Sequence, residues 1–247
     1  MPKNKILSTK KVEDPIKYYD GLPSLNCMTI FISPPGGGKS TIIANLVFHL
    51  YNQGNDIMFK RVIWCSPTIR TDKSLHGIRE LEADPKNDKI EIQFITGDEL
   101  SNLEEVIDGI KEYLEEQREE DKKNNIRTAV IIDDGMAYMR RTIQSSLVKL
   151  ASCYRHIGYH TNLFIAAQSW TGLPKAVREL ASAVVIGQVS GKTKKQIVDD
   201  MENVFDDKFE ETYNKATNTG NKYDFCFVDN RLQKIFRNFE TELYSKN

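Results

Sequence analysis

Hydrophobic positions along the chain fall into short apolar runs separated by longer stretches with helical spacing. Met28-Thr29-Ile30-Phe31-Ile32 is one such run, and Thr41-Ile42-Ile43-Ala44-Asn45-Leu46-Val47 after it has the spacing of a helix. Arg61-Val62-Ile63-Trp64-Cys65-Ser66-Pro67 reads as a buried strand, whereas Ile90-Glu91-Ile92-Gln93-Phe94-Ile95-Thr96 alternates with period two, as a half-exposed strand does. From Asp98 the period changes: Leu100, Leu103, Val106, Ile107, Ile110 and Leu114 share one helical face. That pattern dissolves into a charged run from Glu115 to Asn125, which predicts a solvated helix end and loop. Thr128 to Asp134 is a strand ending in two acids, a helix is predicted around Thr142 to Tyr154, and Leu163 to Gln168 and Ala183 to Gly187 are further strands. Tyr223 to Asp229 and Leu232 to Phe236 flank a short polar turn and predict an antiparallel hairpin at a sheet edge.

Apolar strands alternating with helices predict a parallel sheet covered on both faces, because a strand buried on both sides needs no polar face. The chain has 247 residues, 40% of them hydrophobic and 28% charged, which suits one α/β domain. Residues 1–25 are predicted as an N-terminal extension and 26–247 as a single domain. The formal net charge of −1 offers no general attraction to nucleic acid or anionic membrane, so such contacts must come from a local patch or from assembly. Cys27, Cys65, Cys153 and Cys226 stand far apart with no CxxC pair, a pattern of reduced thiols rather than a disulfide framework or zinc site. The start Met1-Pro2-Lys3-Asn4-Lys5 lacks the apolar core of a signal peptide, and no stretch approaches the roughly 18 apolar residues of a membrane span. A soluble, cytoplasmic protein without a membrane partner is expected.

Between the first strand and the first helix lies Ser33-Pro34-Pro35-Gly36-Gly37-Gly38-Lys39-Ser40. A triphosphate needs backbone N–H groups around its oxygens, a positive helix N-terminus, a lysine and a hydroxyl for Mg²⁺, and this segment with Thr41 supplies all four. An ordinary Gly-rich turn would not place a lysine in the opening helical turn, where the dipole disfavours positive charge. Where the consensus begins with glycine, this chain has Ser33.

The strand ending in Asp133 and Asp134 supplies the second half of such a site. Asp133 can reach a Mg²⁺ held by Ser40, and Asp134, pointing differently as the strand ends, can take a proton from the attacking water. Gln168 ends a later strand, where its amide can contact the γ-phosphate or orient water. Either feature alone would read as an ordinary strand end, an acid capping the next helix or an amide bonded to backbone.

In this order, loop, acidic strand, Arg155-His156 and Gln168 resemble the FtsK/HerA superfamily of DNA-pumping ATPases, and within it the poxvirus-type genome-packaging ATPases of large DNA viruses and their smaller relatives. The match runs from about Met28 to Val189 and rests on the loop, the two acids, Cys153-Tyr154-Arg155-His156-Ile157-Gly158 and Phe164-Ile165-Ala166-Ala167-Gln168-Ser169. Many relatives carry Asp-Glu where this chain has Asp133-Asp134. The resemblance implies a RecA-like P-loop NTPase, with a mostly parallel sheet flanked by helices and the hairpin at an edge. It implies ATP and Mg²⁺ as ligands, double-stranded DNA as cargo and a homo-oligomeric ring, with capsid or portal-vertex proteins as partners in the host cytoplasm, a viral factory or the virion. An arginine from the neighbouring subunit then contacts the γ-phosphate; Arg155 is the first candidate and Arg178 the second, although either could equally be a surface ion pair.

A DNA motor must touch phosphates without reading sequence. Lys192, Lys194 and Lys195 form the densest basic loop after the last core strand, and Arg140 and Arg141 follow the acidic strand; most such clusters are simply solvated. Three other readings compete. Asn221-Lys222-Tyr223-Asp224 matches the guanine-reading pattern of GTP switches but does not end a buried strand. Pro67-Thr68-Ile69-Arg70 resembles a segment of two-lobed helicases, for whose second lobe the chain has no room. A nucleotide or nucleoside kinase fits the length, but its arginine-rich lid is not evident.

Overall fold

The computed structural model describes residues 21–51, 57–134 and 143–246. They form one sheet of nine strands with helices on both faces. The strands are β1 (Met28–Ile32), β2 (Arg61–Cys65), β3 (Glu91–Ile95), β4 (Thr128–Asp133), β5 (Thr161–Ala167), β6 (Ala183–Ile186), β7 (Cys226–Asp229), β8 (Lys234–Arg237) and β9 (Thr241–Ser245). Their spatial order is β3-β2-β4-β5-β1-β6-β7-β8-β9. The first six are parallel, and β7, β8 and β9 add on antiparallel.

The central strands are buried on both faces, and their period of two divides them between two cores. Met28, Ile30 and Ile32 join Val130, Ile132, Leu163 and Ile165 on one face. That face is covered by α3 (Leu103–Asn124), α4 (Ile143–Cys153), α5 (Lys175–Leu180), α6 (Gly191–Phe205) and α7 (Phe209–Thr217). Phe31, Trp64, Ile131 and Phe164 face the other way onto α1 (Lys39–Asn45) and the aromatic rings of Tyr51, Phe59 and Phe239. Edge strand β3 keeps Glu91 and Gln93 exposed, which is the alternation read from its sequence.

Several expectations are corrected by the packing. The charged run from Glu115 is not a helix end followed by a loop: α3 continues to Asn124, and Asp121 in its last turn is fully buried against Arg61. Residues 21–25, expected in the extension, pack on the domain, with Leu22 and Leu25 in the second core and the Tyr51 hydroxyl donating to the Pro23 carbonyl at 2.6 Å. The antiparallel hairpin of β7 and β8 lies at one edge of the sheet as expected, and β9 extends that edge by a further strand. The basic segment at Lys192 is the first turn of α6, not a loop. The remaining helix, α2 (His76–Ala83), buries none of its residues fully and rests Ile78 against the second core.

Candidate nucleotide site

Because β1, β4 and β5 are parallel neighbours, their carboxyl ends open on one edge of the sheet. The Gly-rich loop follows β1, the two acids end β4 and Gln168 follows β5. Residues more than a hundred positions apart in the chain therefore meet around one cleft of about 350 Å³. The cleft is lined by the loop and the start of α1, by Thr68, Asp72 and Ser74, and by Asp134 and Tyr223.

The loop turns through Gly36 (φ 71°) and Gly38 (φ 83°), both in the left-handed region that glycine adopts without strain. Lys39 opens α1 and is buried at 6% exposure; its Nζ donates to the carbonyls of Ser33 (3.0 Å) and Pro34 (3.3 Å) and lies 4.0 Å from Asp134 Oδ1. The structure also accounts for Ser33, which the sequence left unexplained. The serine side chain is buried between two glycines: a Cβ on Gly37 would lie 2.5 Å from Ser33 Oγ, and one on Gly187 would lie 2.7 Å from Ser33 Cβ. The bulk that the consensus removes at the first position is accommodated here by the absence of side chains at Gly37 and Gly187.

Asp133 closes β4 with no solvent exposure, and neither of its carboxylate oxygens completes a hydrogen bond. Burial pushes its pKa up to about 6; the nearby Ser40 hydroxyl and Lys39 pull it down, and the Asp134 charge adds to the rise. A fully buried acid without a partner, beside a helix-opening hydroxyl, is a donor set suited to a hard divalent cation, so Asp133 and Ser40 fit Mg²⁺. At Asp134 the backbone turns left-handed (φ 50°) and sends the second carboxylate elsewhere, where its Oδ1 accepts from Gln168 Nε2 at 3.3 Å. Lys39, Ser40, Asp133, Asp134 and Gln168, all singled out in the sequence, are thus brought together.

No protein-family model matches the chain, and no curated protein matches it in sequence. Among solved structures, the DNA-packaging ATPase B204 from Sulfolobus turreted icosahedral virus is similar with a TM-score of 0.57 and 15% identity, over 86% of this chain and 97% of that one. The chain shares the fold of a viral packaging ATPase. The genome packaging NTPase B204 from Sulfolobus turreted icosahedral virus 2, in complex with ATP-gammaS, is similar with a TM-score of 0.55 and 14% identity, over 86% of this chain and 96% of that one. The likeness agrees with the mostly parallel, helix-flanked α/β sheet expected from the sequence.

In this packaging-ATPase fold the two candidate arginines have different surroundings. Arg155 precedes β5, at the amino edge of the sheet, a strand's length of roughly 20 Å from its own loop. Its Nε donates to the Tyr154 hydroxyl at 2.8 Å and its Nη2 to Ser182 Oγ at 3.0 Å, and among the described residues no carboxylate pairs with it. Arg178 is committed to its own chain: it bonds Asp200 of α6 and lies over the Trp170 ring at 5.3 Å, and Trp170 Nε1 donates to the same carboxylate at 2.7 Å. Its charge is paired with Asp200 within its own chain. Lys194 is likewise occupied, 2.7 Å from Glu210, whereas Lys192 and Lys195 are exposed in the first turn of α6. Arg140 and Arg141 lie outside the described residues.

Two residues escaped the sequence reading. Arg231, in the turn after β7, donates to Ser182 Oγ at 3.0 Å alongside Arg155, so two guanidinium groups share one neutral acceptor. Tyr223 lines the cleft from within the guanine-like pattern. Asn221 and Asp224 of that pattern bond each other at 3.0 Å, and Asp224 also accepts from Thr219 and from Asn238 at 2.7 Å; these bonds hold its pKa below the usual carboxylate range. Both side chains build the turn and are not free to read a base edge.

Proposed function

We propose that this chain is a Mg²⁺-dependent ATPase that translocates double-stranded DNA as a homo-oligomeric ring and packages a viral genome. One observation carries the reading: the buried, unpartnered Asp133 stands on the same sheet edge as Lys39, Ser40, Asp134 and Gln168. Nothing in a stable fold requires an uncompensated buried acid there, whereas a nucleotide with its cation supplies the missing charge.

The catalysis is positioning and electrostatics. The N–H groups of the loop and the α1 N-terminus cradle phosphate oxygens, and Lys39 leaves the Ser33 and Pro34 carbonyls for the stronger acceptors of the triphosphate. Ser40 and Asp133 would hold Mg²⁺, which when bound neutralises charge on the phosphate oxygens. Gln168 fixes the Asp134 carboxylate through its amide, and Asp134 accepts the proton of the water that attacks the γ-phosphate. Arg155 cannot reach its own site across the sheet, so its unpaired guanidinium acts on a neighbour's nucleotide. DNA contact falls to exposed lysines such as Lys192 and Lys195, with capsid or portal-vertex proteins as partners of the assembled ring.

The test is ATP hydrolysis with and without duplex DNA, alongside a native-mass measurement. DNA-stimulated release of phosphate by an oligomer is expected; a DNA-insensitive monomer would overturn the motor reading. Rings of Arg155→Ala mixed with Lys39→Ala should recover part of the activity that each lacks alone, and full activity of Arg155→Ala by itself would remove the trans assignment.

A further inference from the structure

The sheet's direction change gives the cleft a second end. Strand β7 runs antiparallel to β6, with Cys226 opposite Ile186, so the turn that precedes β7 stands at the carboxyl edge of the sheet, beside the loop. In the strand order, β4 with its acids lies two places to one side of β1 and β7 lies two places to the other. A triphosphate whose γ end points to Asp133, Asp134 and Gln168 must send its sugar and base toward the β7 side. What stands there is Tyr223, 52% exposed and within contact of Gly38: a Cβ on that glycine would sit 3.6 Å from Tyr223 Cδ1.

We propose that Tyr223 is the nucleobase platform of this site, stacking its ring against the base of the bound nucleotide. This rests on the nucleotide reading above and adds the residue that holds the base. Exposing a large aromatic ring costs hydrophobic free energy unless the ring meets something, and this one lines a cleft that also holds the phosphate loop. The platform is preorganised. Asn221, Thr219 and Asn238 all bond the Asp224 carboxylate, and the Tyr223 N–H donates to Asn221 Oδ1 at 3.2 Å, so the backbone that carries the ring is fixed before any ligand arrives. The Lys222 ammonium lies 4.6 Å from the ring centroid, over one face, which leaves the other face for a base. Read this way, the Asn-Lys-Tyr-Asp segment is a base-binding element after all, through its aromatic and not through its Asn and Asp.

Calorimetric titration of the full-length chain with Mg²⁺ and two probes tests this: a β,γ-methylene analogue of ATP, and inorganic tripolyphosphate, which has no base. Tyr223→Ala should weaken the ATP analogue roughly tenfold and leave tripolyphosphate unchanged, while Tyr223→Phe keeps both affinities within about twofold. An unchanged affinity of Tyr223→Ala for the analogue overturns the proposal, as does an equal loss for both probes, which would mark a structural role. If the unmodified chain binds neither probe, the nucleotide reading itself falls, and the platform falls with it.

Discussion

Asp121 and Asp133 are the same residue type at the same burial, each without solvent exposure, and the fold treats them in opposite ways. Asp121, in the last turn of α3, receives Arg61 Nη1 on Oδ2 at 2.5 Å. Arg61 also donates to Glu91 at 2.8 Å and lies over the Tyr113 ring at 5.2 Å, so one guanidinium ties together the starts of β2 and β3 and the end of α3. Burial works against the Arg61 charge, but the bonds to Asp121 and Glu91 hold its pKa above the ordinary value. Asp133, at the carboxyl end of β4, has no bonded partner on either oxygen. On the function proposed above, the difference separates a structural charge from a functional one. A carboxylate that the fold needs is compensated within the chain; one left uncompensated marks where charge must come from a ligand.

The comparison breaks most sharply at activity. Asp133→Asn removes the carboxylate proposed to hold the cation and should lower Mg²⁺-dependent ATP hydrolysis about a thousandfold, some 4 kcal/mol on the barrier, as measured by phosphate release. An Asp133→Asn chain with unimpaired hydrolysis would place the cation elsewhere.

The next effect belongs to the structural acid. Arg61→Ala strands Asp121 in the interior and should cost about 3–4 kcal/mol in urea unfolding. Its catalytic constants should change little in the fraction that remains folded, because Arg61 lies at the start of β2, away from the site edge.

The smallest effect has the opposite sign. Folded Asp133 keeps its proton up to about pH 6, while the unfolded chain releases it near 3.8, so the folded state binds the extra proton between those values. The cost of burying the charge therefore grows as pH rises through that window and is complete above it. Asp133→Asn should be about 1–2 kcal/mol more stable than the unmodified chain at pH 8, and this gain should fade as pH falls from about 6 toward 4. A gain that is constant with pH would mean that Asp133 is already satisfied in the folded chain.

Much of this was legible in the residues. Five of the six parallel strands follow from apolar runs of strand length and β3 from its alternation, and the loop and the paired acids are local patterns whose chemistry depends on neighbours in the chain. Two helices were also readable and were missed: Ile197, Met201 and Phe205 in α6, and Phe209, Tyr213 and Thr217 in α7, repeat at helical spacing and are buried. Helices α5 and α2, of six and eight residues, are too short for their spacing to stand out.

By itself the sequence determined eight of the nine strands and that the sheet is mostly parallel, and it singled out Lys39, Ser40 and Asp133 as the candidate nucleotide site, because period and motif are local properties of the chain. Only the tertiary structure decided that Arg61 neutralises an aspartate 60 positions away, that Gly187 makes room for Ser33, that Arg178 is spent on Asp200, and that Tyr223 stands at the far end of the cleft. Each of those contacts joins strands or helices whose adjacency comes from the sheet order. That order minimises the exposure of the whole apolar surface at once, so no window of the sequence records it.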